Sequence, residues 1–87
     1  MKLKRNTTPD GMCKYSLIEH DKDDHVEHGL PGTENEFFVI KLKDKHAYAA
    51  LDAYAHSVEN DDPEFAAEVR ELSLRSGPLH PNCKQPD

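Results

Sequence analysis

The sequence predicts an α+β fold in which two short antiparallel strands precede an antiparallel helix pair, a ββαα order. Two segments with alternating or continuous apolar character come first, at residues 14–20 and 37–43. Two segments follow in which apolar residues recur with the period of an α-helix. Because strands and helices are segregated along the chain, we expect the helices to pack against one face of a small sheet.

The first predicted strand is Lys14–His20, with Tyr15 and Leu17 on one face. A long acidic connection, residues 21–35, follows it and contains the turn sequence Gly-Leu-Pro-Gly at its centre. We expect this connection to join the first strand to the second, antiparallel to it.

The second predicted strand is Phe37–Lys43. Phe38, Ile40 and Leu42 share one apolar face, because side chains alternate along a strand. The opposite face begins apolar and ends with Lys41 and Lys43. Such a strand is covered on one side and partly exposed on the other.

A first helix is predicted after Asp44, whose carboxylate is suited to cap it. Its apolar stripe consists of Ala47, Ala50, Leu51, Tyr54, Ala55 and Val58. A second lane, Ala49, Ala53 and His56, is small enough to let another backbone approach, which makes it a candidate contact surface between copies. The alternative is that alanine is simply a good helix former.

A second helix is predicted from Asp62, as the N-cap, to about Ser76, with Pro63 at its first position. Its inner stripe is Phe65, Ala66, Val69 and Leu72, and its outward residues are Glu68, Arg70, Glu71 and Arg75. Gly77-Pro78 ends the helix. The short connection between the helices makes them antiparallel neighbours.

These elements divide the chain into a flexible N-terminal arm (residues 1–13), a single α+β domain (14–77) and a Pro-rich C-terminal tail (78–87). The tail is either a strap that packs on the domain through Leu79 or disordered. An ordered core of ~60–65 residues is marginal by itself, and so is a two-stranded sheet. We therefore expect a homo-oligomer to complete the fold.

Composition restricts the classes of function. The chain has 11 Lys and Arg against 17 Asp and Glu, a net charge of −6, which argues against general nucleic-acid binding. The N-terminus lacks the apolar region of a secretion signal, and no segment is apolar for the ~18–20 residues that a membrane helix needs. We expect a soluble, cytoplasmic protein without membrane contacts.

Catalytic motifs are not recognisable, so we expect no enzyme activity and no cofactor. The serines lack a nucleophile-elbow context, and phosphate-binding glycine loops are missing. A zinc site is an alternative, with Cys13, His80 and Cys83 joined by His25 or His28, although the paired C-x-x-C spacing that makes such a site convincing is missing. The other interpretation of the histidines is a solvated acidic loop.

A candidate anion site lies where the second predicted strand meets the first helix. Lys41, Lys43, Lys45 and His46 would surround the free amides of the helix N-terminus. Arg70 would add a cation, and Tyr48 or Tyr15 a stacking surface for a base. Alternatively, the lysines keep an exposed edge strand from aggregating.

The segment Phe38-Val39-Ile40-Lys41-Leu42-Lys43-Asp44, followed by an Ala-rich helix and then Glu68-Val69-Arg70, resembles a group of small accessory proteins of tailed phages. Their shared pattern is roughly F-V-L-R-x-x-D, an Ala-rich helix and an E-x-R helix, and the match covers about residues 14–76. Lys41 replaces the usual Arg, and Tyr54 or a neighbour stands in for the Trp often found in the first helix. The resemblance implies a host-takeover or anti-defence role in the cytoplasm of an infected bacterium.

Three functions follow as hypotheses. The leading one is a non-enzymatic phage-type protein that self-associates and sequesters a small anionic, nucleotide-derived ligand, as a sponge for an immune signal. The second is an acidic protein–protein inhibitor of a host nuclease or nucleic-acid-binding complex, similar to an anti-CRISPR protein. The third is a small zinc-binding domain.

Overall fold

The structure is a computed structural model that describes residues 13–84 of the chain. It divides into two compact units, the first ending at Val39 and the second beginning at Ile40. The predicted domain at 14–77 therefore includes parts of both units. The predicted N-terminal arm lies outside the described residues except for Cys13.

The first unit is built on a β-hairpin. Strand β1 (Leu17–Glu19) pairs antiparallel with β2 (His25–Glu27), and a 3-10 helix (His20–Lys22) begins the connection between them. The register places Leu17 opposite Glu27, Ile18 opposite Val26 and Glu19 opposite His25. Asp23 and Asp24 both have positive φ, 54° and 59°, and so reverse the chain within a short connection.

The predicted order, two antiparallel strands followed by two helices, is confirmed. The predicted position of the second strand is wrong: residues 36–41 have no regular secondary structure, and 42–46 form turns and one bridge. The strand that pairs with β1 lies instead inside the predicted acidic connection. The left-handed turn at Asp23-Asp24 brings Val26 opposite Ile18. β1 therefore pairs with this nearby segment and not with the more apolar residues 37–43.

The second unit is built on a helix pair, α1 (Ala47–Val58) and α2 (Pro63–Ser73). Its buried apolar residues are small: Ala47, Ala55, Ala66 and Val69. The helices are antiparallel neighbours, as predicted, since Tyr54 near the end of α1 meets Phe65 in the first turns of α2 with ring centroids 6.1 Å apart. The Ala49, Ala53 and His56 lane of α1 is exposed, and self-association through it stays a prediction.

The two predicted caps differ in their roles. Asp62 caps α2 as expected, because its Oδ1 accepts a hydrogen bond from the N–H of Phe65 at 3.0 Å. Asp44 instead closes a turn before α1, where its Oδ1 accepts from the N–H of His46 at 2.8 Å and its carbonyl accepts from the N–H of Ala47. The helix consequently begins at Ala47.

Residues 77–84, here called the C-terminal strap, are held on the second unit by main-chain hydrogen bonds. Gly77 donates to the carbonyl of Leu42 at 2.8 Å, and Lys84 donates to that of Lys43 at 2.8 Å. Lys84 accepts in turn from Lys45, in a short parallel bridge. Residues 78–84 of the predicted tail pack as a strap, although Leu79 remains 53% exposed and is not its anchor, and residues 85–87 lie outside the described residues.

We expect Gly77→Ala to destabilise the second unit. Gly77 has φ +58°, and an added Cβ would lie 2.9 Å from Tyr48 Cβ and 3.0 Å from Tyr48 N. The left-handed conformation costs a non-glycine residue ~1–2 kcal/mol, and overpacking adds ~1–3 kcal/mol. Gly32→Ala is the matched control, because Gly32 also has positive φ but nothing lies within 4 Å of its added Cβ.

Denaturant unfolding followed by far-UV circular dichroism compares the free energies of unfolding of the two variants. A loss in Gly77→Ala no greater than that in Gly32→Ala would show that the contact between the strap and α1 is loose.

Candidate functional site

The predicted cationic residues before α1 gain a further member in the structure. The bridge between the strap and residues 43–45 places the main chain of Lys84 beside Lys43 and Lys45. Together with Lys41 and His46, these residues form what we call the basic corner. Nothing in the local sequence around Lys84 indicated this position, because the pairing of the strap is a long-range contact.

The N-terminus of α1 inside the basic corner already has an anionic partner. Asp44 is only 5% exposed, and its carboxylate accepts the hydrogen bond from His46 N–H described above. An anion bound here would therefore compete with the Asp44 carboxylate for the His46 amide.

Of the other predicted ligand-binding residues, Arg70 lies away from the basic corner within the second unit, and Tyr15 is part of the first unit. Arg70 Nη2 contacts Glu59 Oε2 at 3.0 Å, just beyond the C-terminal end of α1, a helix about 18 Å long. Tyr15 belongs to the first unit, where Lys14 Nζ lies 5.6 Å from the centroid of its ring. Tyr48, in the first turn of α1, is the aromatic residue that the structure places near the basic corner.

An open apolar groove of about 510 Å³ runs between α1 and α2. Its lining residues are Leu51, Tyr54, Phe65, Glu68, Val69, Leu72 and Arg75. A smaller cavity of about 180 Å³, lined by Ile40, Leu42, Ala47 and Ala50, shares Leu51 and Tyr54 with it. The two form one continuous apolar surface, which we call the helix groove.

The rings in the helix groove are exposed rather than buried. Tyr54 is 53% exposed and Phe65 is 40% exposed, and the two rings meet edge to face at 89°. The sequence placed both in the inner stripes of their helices. Helical periodicity identifies the face correctly, but it does not indicate how deeply each side chain is buried.

The helix pair around the groove is strongly acidic. Residues 47–73 carry seven carboxylates against one arginine. The carboxylates are Asp52, Glu59, Asp61, Asp62, Glu64, Glu68 and Glu71. The arginine, Arg70, is paired with Glu59. The groove itself is lined by one carboxylate, Glu68, and one arginine, Arg75, and the two helices that form it carry an excess of carboxylates.

The predicted zinc ligands are distributed over both units. In the first unit, Cys13 Sγ lies 3.9 Å from His28 Nδ1, which is also 2.9 Å from Ser16 Oγ. In the second unit, His80 Nδ1 accepts a hydrogen bond from the N–H of Asn82 at 2.9 Å. His25 lies next to Glu27 rather than next to Cys13 and His28, with Nε2 3.6 Å from Glu27 Oε2.

A different cluster of metal-ligating side chains is present on the hairpin. Glu19, His25 and Glu27 each place one potential ligand atom within 4.8 Å of the other two. Among residues 13–84, this is the one group of three such side chains. Hydrogen bonds from Gly29 N–H to Oε1 and from Asn35 Nδ2 to Oε2, each 3.2 Å, orient the Glu27 carboxylate. The hydrogen bond from Gly29 contributes most to lowering the pKa of Glu27 from its ordinary value of 4.5. The hydrogen bond from Asn35 and the nearby His25 also lower it.

Comparison of the chain with protein-family models, with curated proteins and with solved structures found no match. The resemblance to phage accessory proteins therefore stays a prediction, and function is argued from the surfaces described above. Between residues 13 and 84, neither helix has the length and apolar character required to cross a membrane.

We expect the stability of the hairpin to fall in acid because of Glu27. Its pKa in the folded chain lies below the ordinary value of 4.5, so the ionised form favours folding at and above that pH. This stabilisation is lost as the pH falls from 4.5 through the lowered pKa. In Glu27→Gln the hairpin should lose this part of its pH dependence.

A pH titration followed by NMR of the Glu27 carboxyl carbon, with a chelator present to exclude metals, measures the pKa directly. The amide exchange rate of Gly29 over the same range reports the stability of the hairpin. A midpoint at or above 4.5 would contradict the assigned role of the Gly29 hydrogen bond.

Proposed function

We propose that this protein is a non-enzymatic binding protein whose helix groove receives an apolar anchor from a basic protein partner. The observation that carries the proposal is the exposed Tyr54–Phe65 pair inside an acidic helix surface. The proposal takes up the protein–protein inhibitor hypothesis, with a host nuclease or nucleic-acid-binding complex as the partner.

Apolar burial supplies the affinity in this proposal. Covering a Phe or Leu side chain contributes ~1.5–3 kcal/mol each. Aromatic residues in a groove also match the usual composition of the few positions that dominate binding energy at protein interfaces. Two exposed aromatic rings grouped in an apolar groove are a candidate interaction site.

Charge selects the partner. A nuclease or nucleic-acid-binding complex presents a basic surface, because it must attract phosphates. The acidic helix pair attracts the same surface, steers its approach and occupies the site that nucleic acid would use. The resemblance to phage accessory proteins supports an anti-defence setting in the host cytoplasm for such competition.

We expect a lysine-rich amphipathic peptide with leucines spaced i, i+3, i+4 and i+7 to bind the full chain, and its glutamate counterpart not to bind. Glu68→Lys should weaken binding about tenfold, which corresponds to about 1.4 kcal/mol. Glu71→Lys is the matched control on the same helix, since it makes the same charge change without lining the groove. Fluorescence anisotropy at low and high salt measures both affinities.

The apolar part of the surface is tested with the same peptide. Phe65→Ala should weaken binding, whereas Leu74→Ala, at a residue that is 66% exposed and lies outside the groove, should not. Circular dichroism confirms that each variant is folded. Equal effects of Glu68→Lys and Glu71→Lys, together with no effect of Phe65→Ala, would show that the acidic surface binds cations without using the groove.

A second candidate function is the sequestration of a small anionic, nucleotide-derived ligand at the basic corner, and the approach of Lys84 to Lys43 and Lys45 favours it. A panel of cyclic nucleotides added to the purified chain tests it by thermal shift. A ligand at a hundred times its Kd should add about 2.7 kcal/mol of stability. Lys43→Ala with Lys45→Ala should abolish the shift and Lys14→Ala should retain it; no shift with any nucleotide rules the function out.

A further inference from the structure

We propose that the hairpin of the first unit binds one divalent first-row transition-metal ion, such as Zn²⁺, through Glu19, His25 and Glu27. The register of the hairpin places these residues together. Glu19 lies opposite His25 across the ladder, where paired Cβ atoms are ~4.5–5.5 Å apart. Glu27 follows His25 by two residues on the same strand and therefore shares its face.

The donor set fits this class of ion. One imidazole nitrogen and two carboxylate oxygens are ligands of Zn²⁺ and Mn²⁺, whereas Ca²⁺ and Mg²⁺ take oxygen ligands almost alone. With metal–ligand bonds of about 2.1 Å, tetrahedral donors lie about 3.4 Å apart. The three donors now lie within 4.8 Å of one another, so a small change of side-chain rotamer brings them to this separation.

The surroundings of the cluster prepare it for an ion. Gly29 N–H and the Asn35 amide hold the Glu27 carboxylate in place, as outer partners hold the ligands of metal sites. His25 is 55% exposed, which leaves an entry path, and Lys22, 3.3 Å from Glu19 Oε2, has an exposed side chain that is able to move away.

A cross-link would also add stability that the first unit lacks. Among its described residues, 13–39, only Gly29 is buried, so no side chain there forms a core. An isolated two-stranded hairpin is at best marginally stable in water. Small units of this kind are usually held by a disulfide, a metal or a partner chain, and Cys13 is a free thiol. A metal ion bound by β1 and β2 together would join the strands where they pair.

Isothermal titration of the tag-free, chelator-treated full chain with Zn²⁺ tests the proposal. We expect saturation at one ion per chain and slower amide exchange at Ile18 and Val26, on the paired strands, when Zn²⁺ is bound. His25→Ala and Glu19→Gln should each weaken binding at least tenfold. His20→Ala is the matched control, since His20 lies on the same hairpin and bonds to Asp24 rather than to the triad.

Two outcomes would overturn the proposal. One is the lack of saturable Zn²⁺ binding. The other is binding that survives His25→Ala but is lost in Cys13→Ser or His28→Ala, which would place the ion at the Cys13–His28 pair. Binding of the basic peptide to the helix groove does not use this site and should persist after chelation.

Discussion

Close packing of α1 against α2 over buried alanines determines most of the surface chemistry of the second unit. Ala55 and Ala66 have no exposed surface, and Ala47 at the start of α1 has none either. Small side chains let two helix backbones approach closely, which leaves no room for large side chains between them. Tyr54, Phe65 and Leu72 are consequently displaced to the edge of the contact, where they line the helix groove.

The C-terminal strap separates charge within the same unit. By pairing with residues 43–45, it buries Asp44 and places Lys84 with the other lysines before α1. The helix pair itself keeps seven carboxylates and one arginine. One end of the unit is therefore cationic while its helices are anionic, and a single net charge of −6 describes neither surface.

Sequence patterns predicted the elements that depend on local chemistry. The order of strands and helices, the Asp62 cap and the faces of both helices followed from periodicity and capping rules. Phe37–Lys43 was wrongly assigned to a strand because a short apolar run does not distinguish a strand from an extended segment. β2 was missed because His25-Val26-Glu27 carries only one apolar residue, and its pairing depends on the left-handed turn at Asp23-Asp24.

Features that depend on how separate segments pair could not be predicted from the sequence. Lys84 joins the basic corner through a bridge between residues forty positions apart in the chain. The Glu19, His25 and Glu27 cluster appears only once the hairpin register is known. The predicted zinc ligands, Cys13, His80 and Cys83 with His25 or His28, were grouped by residue type alone. The structure places Cys13 beside His28 and His25 beside Glu27 in the first unit, whereas His80 and Cys83 belong to the second unit.

The interaction energies expected at the two surfaces favour the helix groove over the basic corner as the main binding surface. An exposed ion pair contributes only ~0–1 kcal/mol, and salt weakens it further. The strongest contribution available to an anion at a helix N-terminus comes from free amides, and the buried Asp44 carboxylate already accepts the hydrogen bond of His46 there. Covering the 53% of Tyr54 and the 40% of Phe65 that are exposed contributes about 1 kcal/mol for each ring, and these contributions add over the groove without first displacing any buried group. A partner that combines an apolar anchor with basic flanks therefore gains more from this surface than a small anion gains from the lysines.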